Sequence, residues 1–283
     1  MDSLSKSLTL SIVFLLSIVG AAAAQKLTAE EILVKNLDSI GTKERRGEIK
    51  NQFAGGLSIF QSKLPSRQTA GKVAIVSDPE NLFFISSFNS QEYPFEKIGY
   101  FKDKVSLPFV TSGTRSPLGA FIADHTNILS DALLTGSISV RWFAPNSQTR
   151  KGKLDFDGTK KIDGRKTYAL GYLSKIAASP DFTVKMFFDV ETFQHVRTEY
   201  RRTVAPKDQP FGTLGVQGGV VIALTENFGD FKTTGNLTLP HSYKLSYITE
   251  SNSGVYEYEW NFTIAQYLFN QNLAADFFTF EKK

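Results

Sequence analysis

The side chains of this chain that could move a proton or hold a metal are few, and their spacing supports neither task. There are 3 histidines and no cysteine in 283 residues. His125 falls in a helical run, His195 in a polar strand, and His241 after Leu239-Pro240. None has a second histidine or a carboxylate at a spacing that converges on one ion, and a metal needs several convergent N, S or O donors. Asp124 is adjacent to His125, so on a helix the two side chains diverge. Asp155 and Asp157 flank Phe156 and imitate a carboxylate pair, but Asp beside Asp157-Gly158 is the chemistry of a turn. No G-x-S-x-G elbow, phosphate loop or G-x-G-x-x-G fingerprint occurs. The expectation is a non-catalytic protein with no cofactor and no metal site. Asn236 with Thr238 and Asn261 with Thr263 match the glycosylation pattern, the second inside a strand.

Charge points no more strongly. The formal net charge is +4, and the pairs Arg45-Arg46, Lys160-Lys161 and Arg201-Arg202 are dispersed. A nucleic-acid surface needs a concentrated stripe, so none is expected. The chemistry this chain does offer is apolar. It carries 24 Phe, 10 Tyr and 2 Trp, and aromatic rings bring the largest apolar area per side chain. Such an excess builds a thick core or a sheet face that lines a greasy hollow.

The elements that would position those rings read from periodicity. Thr28 with Glu31 forms a capping box, and Ile32, Leu33, Leu37 and Ile40 repeat at helical spacing. A helix is predicted over Ala29–Ile40, with Gly41 placed to end it. Strands are predicted around Ile49–Phe60, Lys72–Ser77, Leu82–Phe88 and Phe95–Phe101, separated by breakers such as Asp78-Pro79 and Tyr93-Pro94. Ser116-Pro117 then opens one helix or two short ones, since Ser caps and Pro suits the first helical position. Leu118, Phe121, Ile122, Ile128, Leu129 and Leu133 give that run a broad apolar face, and Gly136 ends it. A long meander is predicted next. Ile138, Val140 and Trp142 alternate with Ser139 and Arg141, Asp163-Gly164 turns the chain, and Phe182, Val184, Met186 and Phe188 alternate with polar residues. His195–Arg202 is a more polar strand. Tyr256, Tyr258, Trp260, Phe262 and Ile264 alternate with Glu257, Glu259, Asn261 and Thr263. Period-two patterning buries one face and wets the other, the mark of an antiparallel sheet. No helix separates these later strands, so βαβ units are not expected. Thr203–Gly218 reads as a long loop.

Met1–Ala24 differs from the rest. Lys6 precedes an apolar run from Leu8 to Val19, and small residues lead to Gln25. This is the pattern of a cleavable secretory signal, with cleavage after Ala24. The run is shorter than the about 20 residues of a membrane span. The expected mature chain is one β domain over residues 25–283, periplasmic or secreted. A chain of that length buries enough surface to fold without disulfides.

Several stretches then resemble a family. These are Leu27–Gly41, Gly71–Pro79, Ile162–Leu170, Phe187–Tyr200 and Glu226–Tyr243, in an order and spacing that extend over most of the mature chain. Together they resemble the LolA/LolB-like lipoprotein-localisation superfamily, in its divergent outer membrane lipoprotein-sorting branch. Pro79 is followed here by Glu80, Asn81, Leu82 and Phe83, where the carriers have a basic residue and an aromatic. The resemblance implies an incomplete antiparallel barrel (α+β, mostly β) whose concave face is covered by helices, and a carrier or chaperone for a lipid acyl chain or lipoprotein. On that reading Leu118, Phe121, Ile122, Ile128, Leu129 and Leu133 form the cover, while Trp142, Met186, Tyr258 and Trp260 face the hollow from the sheet. The rival reading is an envelope interaction or sensor protein like the MucB/RseB regulators, with the same fold, a filled core and a protein partner. A hollow inner face favours the carrier; a filled core with an exposed apolar patch favours the rival.

Overall fold

The computed structural model describes residues 27–143, 152–174, 181–204, 219–251, 254–274 and 276–278. The predicted loop over 203–218 lies almost wholly outside them, as does the expected signal segment.

The chain opens on α1 (Ala29–Ile40), closed at its start by the capping box the sequence predicts. Glu31 N–H donates to Thr28 Oγ1 at 3.1 Å, and Thr28 N–H donates to Glu31 Oε2 at 2.8 Å. Gly41 ends the helix with φ 163°, an extended backbone rather than a left-handed one. Glycine is needed there for a different reason: a Cβ would stand 2.7 Å from Leu237 Cδ2. A short α2 (Lys43–Gly47) follows.

Strands β1 (Gln52–Lys63), β2 (Ser66–Ser77), β3 (Leu82–Phe88), β4 (Phe95–Phe101) and β5 (Lys104–Ser106) form an antiparallel meander. The helical insertion comes next: α3 (Pro117–Asp124), α4 (Asn127–Ser130), a 3-10 turn over Gly136–Ile138 and α5 (Val140–Phe143). A second meander then runs through β6 (Lys153–Ile162), β7 (Arg165–Leu173), β8 (Phe182–Asp189), β9 (His195–Val204), β10 (Val220–Thr234), β11 (Leu237–Ser251) and β12 (Gly254–Phe269). β12 pairs with β1, which joins both meanders into one 12-stranded sheet ordered β5-β4-β3-β2-β1-β12-β11-β10-β9-β8-β7-β6. The sheet is antiparallel and does not close: β5 and β6 are its two edges. The insertion leaves one edge and returns to the other, so it crosses the open side of an incomplete barrel. That is the fold class predicted.

Three local expectations change. Residues 138–142 were expected to be a strand, yet they form the 3-10 turn and α5, and both halves of the alternation are buried. Ser139 and Arg141 are ties rather than a wetted face. Arg141 Nη1 donates to Leu129 O at 2.8 Å, and its guanidinium lies 4.3 Å from the Tyr100 ring centroid. Asp157-Gly158 is a bulge within β6, with Gly158 at φ 80°, and the hairpin turn is Asp163-Gly164 alone. Finally, β10 and β11 are two of the longest strands and were not predicted. Their signal was the pair Gly235-Asn236, whose φ of 57° and 62° makes a tight hairpin.

Candidate functional site

The insertion is held against the inner face of the sheet by polar bonds along its length. At its start, Ser116 caps α3 by accepting from Gly119 N–H at 2.8 Å and donates its hydroxyl to Glu96 Oε1 of β4 at 2.7 Å. Further on, Thr135 N–H donates to Glu226 Oε2 of β10 at 2.8 Å. Gln52 of β1 donates to Ile138 O at 2.6 Å, and Val140 N–H donates to Ser77 Oγ of β2 at 2.9 Å. Trp142 Nε1 donates to Asn36 Oδ1 of α1 at 3.0 Å.

Between these ties the apolar residues pack. Leu118, Phe121 and Ile122 on α3, Ile128 and Leu129 on α4, and Leu133 after it are all buried, as are Trp142, Met186 on β8 and Trp260 on β12. These nine belong to one continuous core cluster, and Tyr258 packs against it half-buried. The ten predicted residues therefore share one apolar body, though their immediate neighbours differ. Trp142 lies under α1, stacked on His195 with centroids 4.4 Å apart. Trp260 has other neighbours: it lies 5.4 Å from Phe60, with its Nε1 donating to the Tyr93 hydroxyl at 2.9 Å.

Beside Trp260 the sheet and the insertion part. An open cleft of about 550 Å³ lies there, within the range of small-molecule sites. Its apolar lining includes Phe60, Tyr93 and Tyr258, with Phe60 and Tyr93 stacked at 4.2 Å. One wall comes from the β1–β2 hairpin and the β3–β4 loop, and the other from residues 110–117, which lead into α3 at Pro117. Arg67, Glu92 and Arg115 stand among its polar lining residues. Of the ten predicted residues, Tyr258 lines this cleft, and Leu118 follows its lining residue Pro117.

Two buried carboxyls flank the insertion. Glu96 accepts from the Ser116 and Tyr93 hydroxyls. Glu226 accepts from Tyr200 and Tyr243, each at 2.6 Å, besides Thr135 N–H. Burial pushes both up to about 7, against the hydrogen bonds that favour the ionised form. Burial likewise pushes the hydroxyls of Tyr93, Tyr200 and Tyr243 well above their ordinary range. The sequence could not reveal Glu96 or Glu226, because a lone acid in an alternating strand reads as a wetted residue.

The histidines stay apart. His125 stacks on Phe182 at 4.1 Å, His195 packs among Trp142, Phe188 and Phe228, and His241 approaches Ile264 O at 2.9 Å. Among the described residues no group of three His, Asp or Glu is placed to hold a metal. Among them, too, no helix is long and apolar enough to cross a membrane.

No family model and no curated protein matches the chain. Among solved structures it is similar to a LolA superfamily protein from Nitrosomonas europaea, at 14% identity and a TM-score of 0.44, over 89% of this chain and 98% of that one. It is similar to a putative outer membrane lipoprotein-sorting protein domain from Vibrio parahaemolyticus, at 12% identity and a TM-score of 0.44, over 87% and 97% of the two chains. A third similarity is to MucB in complex with MucA, at 9% identity and a TM-score of 0.23, over 83% and 93%.

Proposed function

We propose that the chain is an exported, non-catalytic binding protein that takes the acyl chain of a lipid or lipoprotein at the mouth of the half barrel. The observation that carries this reading is the aromatic-lined cleft beside Trp260, opening where the insertion meets the sheet. The inner face behind it is filled by the protein's own side chains, which taken alone favours the interaction reading, so the carrier reading rests on this cleft. A long acyl chain must therefore enter under α3 and lift it, against the Ser116–Glu96 bond and the contact of Phe121 with Tyr247 (5.7 Å between centroids). Burial of methylenes, about 0.8 kcal/mol each, drives that entry.

A second reading has its own observation. Leu57, Ile59 and Leu268 are exposed, and Leu57 and Ile59 alternate with the inward residues Ser58 and Phe60. An apolar outer surface with a filled core is what a protein-interaction module would present. Native mass spectrometry of the protein purified from its own envelope separates the two. The carrier reading expects an added lipid mass; a bare chain, or a chain with a stoichiometric protein partner, rejects it in favour of the second.

A further inference from the structure

Resting on the carrier reading, we infer that the mouth cleft selects an amphiphile with an anionic headgroup, read by Arg115 and Arg67. The cleft is not a plain greasy slot. Around Phe60, Tyr93 and Tyr258 it carries Gln68, Thr69, Asn89, Thr111 and Thr114, all able to hydrogen-bond a polar head. Two guanidinium groups and one exposed carboxylate, Glu92, supply its charge. The nearby Glu96 is buried and adds charge only when ionised, which its environment opposes.

The two arginines are in different states. Arg67 pairs with Glu92 across the lip of the cleft. Both side chains are exposed, so water screens that pair and an incoming anion can compete for it. Arg115 is held without a carboxylate partner among the described residues. Its Nε donates to Leu107 O at 3.2 Å, and its guanidinium lies 4.7 Å from the Phe109 ring centroid. Those two contacts fix the planar group while using one of its five donors. A guanidinium so positioned offers a two-pronged contact to a carboxylate or phosphate, and none to a cationic head. An aromatic floor for the chain and a fixed guanidinium at the lip thus match one class of ligand: a single apolar chain ending in a carboxylate or phosphate.

The test uses full mature protein carrying Trp142→Phe, so that Trp260 alone reports. Laurate, dodecyl maltoside and dodecyltrimethylammonium are titrated below their micelle concentrations, and Trp260 emission is followed. The inference expects laurate to bind about fivefold more tightly than the maltoside, and the ammonium compound least. Added salt should narrow that spread, because the contact is at the surface. Arg115→Gln should remove laurate's advantage, and Arg67→Gln should reduce it. Equal affinity for the three heads, or an advantage that survives both substitutions, overturns the headgroup inference and leaves the carrier reading standing. Silence of Trp260 together with no laurate adduct in native mass spectrometry sinks the carrier reading itself.

Discussion

Glu226 gives the sharpest stability prediction. Its carboxyl is fully buried, and the groups facing it are the Tyr200 and Tyr243 hydroxyls and Thr135 N–H, with no cation in contact among the described residues. Its folded pKa is about 7, against 4.5 for an ordinary glutamate. A carboxyl whose folded value is raised contributes stability that is fully present below the unfolded pKa and is lost as pH rises through the folded one. Between pH 5.5 and 8, integrating that linkage gives a loss of about 2 kcal/mol from this one group. Glu96 has the same folded value and the same sign, so it adds a similar loss. His125 works the other way: burial lowers its pKa, with Arg202 adding to the effect, so raising pH through that range favours the fold slightly. Urea unfolding followed by far-UV circular dichroism at both pH values measures the net. The wild type should lose several kcal/mol. Glu226→Gln should cut the loss roughly in half, and Glu226→Gln with Glu96→Gln should nearly flatten it. A double variant that keeps the full pH slope refutes the assignment of the slope to these two carboxyls.

Other outcomes follow from the same structure. Phe121→Asp and Leu129→Asp each place an unpaired charge in a fully packed site and should cost several kcal/mol in the same urea assay; if the folded fraction of both retains co-purified lipid undiminished, the insertion is not part of the binding mechanism. Gly56→Ala should unfold or severely weaken the protein, because a Cβ there would meet Thr263 O at 1.9 Å in the β1–β12 ladder. Gly158→Ala, with φ 80° but open space around it, should cost only about 1 kcal/mol, and a melt showing equal losses for the two glycines would discredit the steric argument. N-terminal sequencing of the exported protein should begin at Gln25, and a retained Met1 would show that the leader is not cleaved.

What the sequence made legible is what local physics determines. The Thr28–Glu31 box, the Ser116 cap and the Asp163-Gly164 turn depend on residues a few positions apart, and all three are where the pattern puts them. Alternation identified the buried Phe182, Val184, Met186 and Phe188 of β8 and Trp260, Phe262 and Ile264 of β12, but Tyr256 at the start of β12 is exposed and Asp189 at the end of β8 is buried. It failed at residues 138–142, where a period of two arises from polar side chains bonded inside the core rather than from water on one face. The cleft was illegible for a related reason. Phe60, Tyr93 and Arg115 lie in three separate segments, brought together by the β1–β2–β3–β4 meander and the chain's turn into α3, and the β1–β12 pairing adds Tyr258. No local pattern encodes that meeting.

On the carrier reading, topology also sets the energetic scale of acyl-chain entry. The insertion is tied to the sheet along its length, and α3, which stands beside the cleft, is the part an entering chain must lift. The tie nearest the cleft is Ser116 to Glu96. Breaking a hydrogen bond to a charged or buried carboxyl costs about 1.5–3 kcal/mol. Burying about four methylenes, at about 0.8 kcal/mol each, offsets that cost. A short chain therefore gains little beyond the cleft, whereas a longer one gains with every methylene that passes under α3. Removing the tie removes a cost that only chains long enough to lift α3 must meet. In Glu96→Leu, which leaves the Ser116 hydroxyl no acceptor there, affinity for long-chain carboxylates should rise relative to short ones, measured by Trp260 emission in the Trp142→Phe background. A series of chain lengths that shifts in parallel, with no change in relative affinity, would show that the Ser116–Glu96 bond does not gate entry beneath α3.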